Sequence, residues 1–229
     1  SRGLGDVYKR QRKYLTASLD QSLRRMKLDY VDIFYSHRHD PETPLEETLQ
    51  ALVDIVRRGK ALYVGLSRYP LEAARFAFRY LAERDVPCLL FQDRYNIFSR
   101  QPETSGVLSL SAASGSGFVA FSPLAQGLLT GRYLDGIPQD SRMAAGRSLQ
   151  REVLTDAMLE RLRALNDIAR QRGQTLAEMA LAWLLRDQRV TSVIVGASSA
   201  AQIEDNLQAL ENASFSDDEL ARIDALSRE

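Results

Sequence analysis

The chain predicts an α/β domain on a parallel sheet, with an incomplete (β/α)8 TIM barrel favoured over an open doubly wound sheet. Three observations carry this. Short apolar runs alternate with longer amphipathic ones, and parallel neighbours need crossovers of that length. The short runs are apolar nearly throughout, which fits a sheet covered on both faces. No G-x-G-x-x-G follows any of them, although an open dinucleotide-binding sheet normally shows that turn. Five strand-like runs are legible rather than eight.

Lys13 to Met26 reads as helix from its first residue. Tyr30 to Ser36 (YVDIFYS) is rich in β-formers, and Leu45, Leu49, Leu52, Val53 and Val56 then recur at helical spacing between Pro44 and Arg58. Gly59 stands where a helix-ending glycine belongs. Ala61 to Leu66 is the second strand, and Pro70 opens a helix to about Arg84. Val86 to Gln92 is the third strand, followed by a helix over about 103–114 and a fourth strand, Gly117 to Phe121. Helices over about 156–172 and 175–186 are divided by Gly173 and lead to the fifth strand, Thr191 to Val195. Thr175 with Glu178, and Ser216 with Glu219, have the spacing of capping boxes. The latter opens the last helix, 217–227, which follows one near 200–211. Leu134 to Thr155 has no period; a lid over a ligand and a plain insertion are equal readings.

Thirty Lys and Arg balance thirty Asp and Glu among 229 residues, with a pI near 6.7, so nothing attracts nucleic acid or an anionic membrane generally. A single cysteine, Cys88, excludes an intramolecular disulfide and points to a reducing, cytoplasmic setting. No run approaches the ~20 apolar residues of a membrane span. His37, His39 and one distant cysteine make a poor metal set, so no metal is expected. No G-x-S-x-G elbow supports a hydrolase.

In parallel α/β domains ligands meet the C-terminal strand ends. His37 and Arg38 follow the first strand, though a lone histidine is more often structural. Ser67 and Arg68 follow the second, where Ser67 serves equally well as a helix cap. Gln92, Asp93 and Arg94 end the third; a glutamine amide suits a heterocycle edge or a strand end alike. Phe121-Ser122-Pro123-Leu124-Ala125-Gln126-Gly127 ends the fourth, either stacking on a flat ring with backbone N–H groups near phosphate, or forming a turn around a core Phe. Gly196-Ala197-Ser198-Ser199 and a helix bearing Gln202, Asp205 and Asn206 end the fifth, where helix N-terminal amides favour an anion.

At these residues the sequence resembles the aldo-keto reductase superfamily, and within it the bacterial glyceraldehyde-3-phosphate reductase-like members related to potassium-channel β subunits. The resemblance runs from about Arg12 through SLDQSLRRM (18–26), DYVDIFYSHR (29–38), GKALYVGLS (59–67), YNIFSR (95–100), FSPLAQGLLTGRY (121–133), GIPQDSRM (136–143) and VTSVIVGASSAAQIEDN (190–206). It implies a (β/α)8 barrel and NADP(H)-dependent reduction of a small aldehyde or ketone to an alcohol. By position, His37 matches the histidine of the Asp-Tyr-Lys-His tetrad that orients the carbonyl. Ser67 and Gln92 flank the nicotinamide carboxamide; Arg68 stands where Asn is usual. Phe121 replaces the stacking Tyr or Trp. Ser122, Leu124, Gln126 and Gly127 line the pyrophosphate, with Arg132 a basic residue near it. Gly196, Ser198, Gln202, Asp205 and Asn206 match adenosine-phosphate and adenine contacts. Ser199 takes the place of an Arg in close relatives, which weakens 2′-phosphate recognition.

The family's catalytic Asp, acid Tyr and Lys have no counterpart from Arg12 onward. The expectation is therefore that residues 1–11 are a non-native leader, that 12–229 are the C-terminal two-thirds of such a barrel, and that the chain alone is inactive. The alternative is a nucleotide-binding, regulatory subunit-like module without turnover. Arg38, Arg94 and Arg100 are candidates for a phosphate on the substrate, although exposed arginines are usually plain surface. A homo-oligomer stays open.

Overall fold

A computed structural model of the chain describes residues 12–138 and 151–227. The residues 1–11 and 139–150 lie outside it, and with them the leader expectation, the core of the irregular stretch and most of GIPQDSRM. The elements alternate as the sequence predicts. They are α1 (Arg12–Met26), β1 (Val31–Ser36), α2 (Leu45–Arg57), β2 (Ala61–Ser67), α3 (Leu71–Ala82) and β3 (Cys88–Arg94). There follow α4 (Gln101–Thr104), α5 (Val107–Ala113), β4 (Gly117–Phe121), α6 (Asp156–Gln171), α7 (Leu176–Leu185), β5 (Val190–Ile194), α8 (Ala200–Leu207) and α9 (Asp217–Ser227). The strands hydrogen-bond in the order β1-β2-β3-β4-β5, with β1–β2 and β2–β3 parallel. Two compact units divide the chain: residues 1–93 with 102–119, and 94–101 with 120–229.

In the first unit, Leu15, Leu19 and Leu23 recur every fourth residue and share one face of α1. They pack on Ala51, Ile55 and Ala61, with Val31 and Phe34 of β1 against the same cluster. Each such buried leucine contributes about 1.5–3 kcal/mol relative to exposure. Lys60 reaches Asp20 at 2.5 Å, tying the start of β2 to α1. Gly59 takes φ +68, the left-handed turn that stops α2. The rings of Phe78, Phe91 and Phe118 form a second cluster at 6.0 and 6.2 Å between centroids.

In the second unit, α7 is apolar all round and buried from Met179 to Leu184, as a core helix should be. Its capping box forms in full: Glu178 N–H donates to Thr175 Oγ1 at 3.2 Å and Thr175 N–H to the Glu178 carboxylate at 2.9 Å. Ser216 and Glu219 repeat the arrangement ahead of α9. Arg172 holds the segment before α9, donating to the carbonyls of Asn212 and Ser214 at 2.9 Å each and pairing with Glu219.

Two expectations change. The helix over 103–114 is broken at Gly106, whose φ of +84 cannot continue an α-helix and instead starts α5. Among the described residues, the β1–β3 part of the sheet is covered fully on one face only. Val64, Leu66 and Phe91 are fully buried, whereas Tyr63 is exposed and its same-face neighbours Ile33, Tyr35 and Leu90 are only half-buried. A second face is covered by more helices or by closure of the sheet on itself. The five described strands do neither, and β1 and β5 are its edges.

Candidate functional site

In the first unit, the ends of β1, β2 and β3 hold His37, Ser67, Arg68 and Gln92. Ser36, the last residue of β1, is buried, and its Oγ lies 2.8 Å from the Tyr69 hydroxyl. The His39 ring packs edge-on against Tyr69 at 5.5 Å. Asp40 closes the following turn, accepting from Glu42 N–H and from the Thr43 hydroxyl at 2.9 Å. With both sides pinned, the intervening His37 and Arg38 are exposed.

Ser67 and Gln92 are register partners on neighbouring strands, and Arg68 N–H donates to the Gln92 carbonyl at 3.1 Å. A bulge makes this pairing. The register runs Val64↔Cys88 and then Gly65↔Leu90, with Leu89 as the extra residue. Regular pairing would set Phe91 beside Ser67 and turn Gln92 to the helix-covered face. Ser67 is 2% exposed, and its Oγ has no hydrogen-bond partner. It does not cap α3, because Pro70 occupies that cap and no side chain bonds there. A buried hydroxyl left without a partner is costly and asks for a ligand group. Arg68 has φ +54, a left-handed position that an Asn would tolerate better.

Tyr35 shares the face of Gly65 and lies across it. Burial first, and the neighbouring Cys88 second, hold its phenol above the ordinary tyrosine range. That is opposite to the lowering that favours proton donation by a phenol at neutral pH.

In the second unit, the half-buried Phe121 leads into a turn in which Ser122, Ala125 and Gln126 have φ of +53, +48 and +59, and Gly127 +106. Left-handed backbone at three non-glycine residues so close together is stored strain of the kind found at ligand clamps. The Gln126 Oε1 is buried without a partner. Leu124 packs with the Leu181, Ala182 and Ala209 cluster, so its position has a core reason as well. Arg132 is exposed beyond the turn. After β5, Gly196 and Ser198 are exposed. Ser199 caps α8, accepting from Gln202 N–H at 3.3 Å. Gln202 turns back, its Oε1 accepting from Ser198 N–H at 2.7 Å and the Ser198 hydroxyl at 3.2 Å. Asp205 is exposed and Asn206 half-buried on α8, which buries none of its residues.

Ser67 with Gln92, the Ser122–Gly127 turn, and Ser198 with Gln202 are thus local groupings that the structure assembles. Tyr69 and Asn96 were not singled out by sequence, although Asn96 stands inside the YNIFSR motif and Tyr69 directly follows Arg68. Among the described residues no set of three or more His, Cys, Asp or Glu side chains is placed to hold a metal, and no helix is long and apolar enough to cross a membrane.

The profile described as the Aldo/keto reductase family matches residues 6–228. An L-glyceraldehyde 3-phosphate reductase of Escherichia coli (strain K12) is 56% identical over 217 residues, covering 93% of this chain and 63% of the relative. A probable voltage-gated potassium channel subunit beta of Oryza sativa subsp. japonica is 39% identical over 204 residues, covering 87% and 62%. The crystal structure of a thermostable aldo-keto reductase, Tm1743, with the inhibitor epalrestat superposes with a TM-score of 0.72 at 29% identity, over 95% of this chain and 67% of that one. The chain therefore spans about 63% of the length of the curated reductase it matches.

Proposed function

This chain belongs to the aldo/keto reductase family, and we propose that its chemistry is NADPH-dependent reduction of a small aldehyde or ketone to the alcohol, with a phosphorylated triose such as glyceraldehyde 3-phosphate among the substrates. One observation carries the cofactor reading. Among the described residues three buried side-chain polar atoms lack partners, Ser67 Oγ, Gln126 Oε1 and Trp183 Nε1, and the first two fall on positions the resemblance assigns to NADP(H).

In the first unit, the Ser67 hydroxyl and the adjacent Gln92 amide together offer the donors and acceptors that a carboxamide needs. Arg68 flanks them. His37, on its pinned strand end, orients the substrate carbonyl. In the second unit, Phe121 offers a ring face for stacking. The turn through Ser122, Leu124, Gln126 and Gly127 receives the pyrophosphate, with Gly127 shaping it, its N–H held by the Leu124 carbonyl at 2.8 Å. Arg132 adds charge there, and Gly196, Ser198, Gln202, Asp205 and Asn206 receive the adenosine end. When bound, the nicotinamide supplies the hydride. Reduction also needs a general acid for the carbonyl oxygen, and the resemblance gives its acid Tyr no counterpart among residues 12–229. The 229 residues by themselves are accordingly expected to be inactive.

Steady-state NADPH oxidation with glyceraldehyde 3-phosphate or methylglyoxal tests this directly. The chain alone should give background rates. Joined to the part of the Escherichia coli relative that it does not span, it should turn over, and His37→Ala should remove that turnover. A regulatory, nucleotide-binding role without catalysis is the competing reading, because channel β subunits are also relatives. NADPH binding by the joined protein with no NADPH oxidation in the presence of any carbonyl tried would select it.

A further inference from the structure

We propose that Asn96, which lies outside the cofactor-contact positions named above, is the positioning residue that holds the Phe121–Gly127 turn in its binding shape. What the turn serves rests on the reductase reading; the hold itself rests on the geometry of the second unit. Left-handed backbone at Ser122, Ala125 and Gln126 persists only where surrounding contacts over-determine it.

Asn96 supplies such contacts and is 1% exposed. Its Nδ2 donates to the Ser122 carbonyl at 2.9 Å, and its Oδ1 accepts from Phe98 N–H at 3.0 Å. Its own N–H donates to the Ser99 carbonyl at 3.2 Å, and Ser99 N–H returns a bond at 3.0 Å. The preceding Tyr95 N–H donates to the Phe121 carbonyl at 3.3 Å. Consecutive residues 95 and 96 thus grip the consecutive carbonyls of 121 and 122. The Ser122 carbonyl also receives Ala125 N–H at 3.0 Å, so the gripped oxygen is the anchor of the turn as well as its entry. The carboxamide carries its donor and acceptor on two separate atoms, so one side chain meets the Ser122 carbonyl and Phe98 N–H together, a span that a single hydroxyl on a shorter stem does not offer. Aspartate keeps the acceptor, loses the donor and sets a negative oxygen against a carbonyl.

The test is titration of the chain with NADPH, followed by nucleotide fluorescence, alongside thermal unfolding. Asn96→Asp should weaken NADPH binding by about tenfold or more, with the melting temperature within about 4 °C of the parent. Adding Ala125→Gly, at a residue assigned no cofactor contact, should recover most of that affinity, because glycine takes the left-handed region freely. A glycine would not repair a general loss of fold. Binding by Asn96→Asp within about twofold of the parent, or a loss that Ala125→Gly leaves untouched, overturns the proposal. If Asn96→Asp does not fold, Asn96→Ser replaces it under the same criteria. A parent chain that fails to bind NADPH overturns this proposal, and the reductase reading falls with it only if the joined protein also fails to bind. A binding parent with an unaffected variant removes this proposal alone.

Discussion

A Cβ added at Gly65 would sit 2.4 Å from Cε1 and 2.5 Å from Cδ1 of Tyr35, so the whole ring must swing to admit it. Gly65→Ala is expected to cost about 1–3 kcal/mol, the usual range for overpacking. Tyr35→Leu in the same chain should recover part of that in denaturant titration; simple additivity of the two losses would show the contact to be irrelevant. At Cys88, burial pushes the thiol up to about 11. A raised folded value means the contribution is complete below about pH 9 and declines as pH climbs toward about 11. The parent should lose roughly 2–3 kcal/mol over that window relative to Cys88→Ala. Parallel stability profiles for the two would exclude the thiol as the source. Ser199→Arg should shift the Kd ratio toward NADPH over NADH by about fivefold, from roughly 1 kcal/mol of added charge assistance. It should also lower stability by about 0.5–2 kcal/mol, because the α8 cap is lost. Roles like that of Asn96 were not legible residue by residue, since its partner Ser122 lies 26 positions away.

At the scale of elements, the caps were legible and the bulge was not. Thr175 with Glu178 and Ser216 with Glu219 bond within one helical turn, so their spacing alone announces them. The bulge at Leu89 sits in the apolar run Cys88–Phe91, which holds neither Gly nor Pro, and it exists only as a mismatch with β2. Deleting Leu89 should leave Gly65↔Leu90 and Ser67↔Gln92 in register, with NADPH affinity little changed. Inserting one Ala after Leu89 should bring Phe91 beside Ser67 and turn the Gln92 amide into the apolar layer, at about 1–3 kcal/mol and with loss of binding. Equal affinity in the deletion and the insertion would show that the register does not place Gln92. The break at Gly106 is a milder case: the glycine was visible, but the periodicity on either side read through it.

For the whole molecule, the order β1-β2-β3-β4-β5 leaves two edge strands among the described residues, and Ile194 on β5 is exposed. Exposed apolar edges invite pairing with another chain. The chain should associate with rising concentration, and Ile194→Lys should raise the monomer fraction in light scattering; an unchanged distribution would place the association elsewhere. The sequence by itself determined the alternation of strands and helices, the helix caps, the family, and which polar residues stand at the strand ends. All of these depend on neighbours within a few positions, or on motifs read in order. Only the tertiary structure decided that Gln92 rather than Phe91 meets Ser67, that Tyr63 stays exposed among the described residues, that Ser67 and Gln126 keep buried atoms unpartnered, and that the Asn96 amide meets the Ser122 carbonyl. Those facts depend on which distant backbone stands opposite each side chain, and hydrogen bonds across tens of residues leave no periodic mark in the chain.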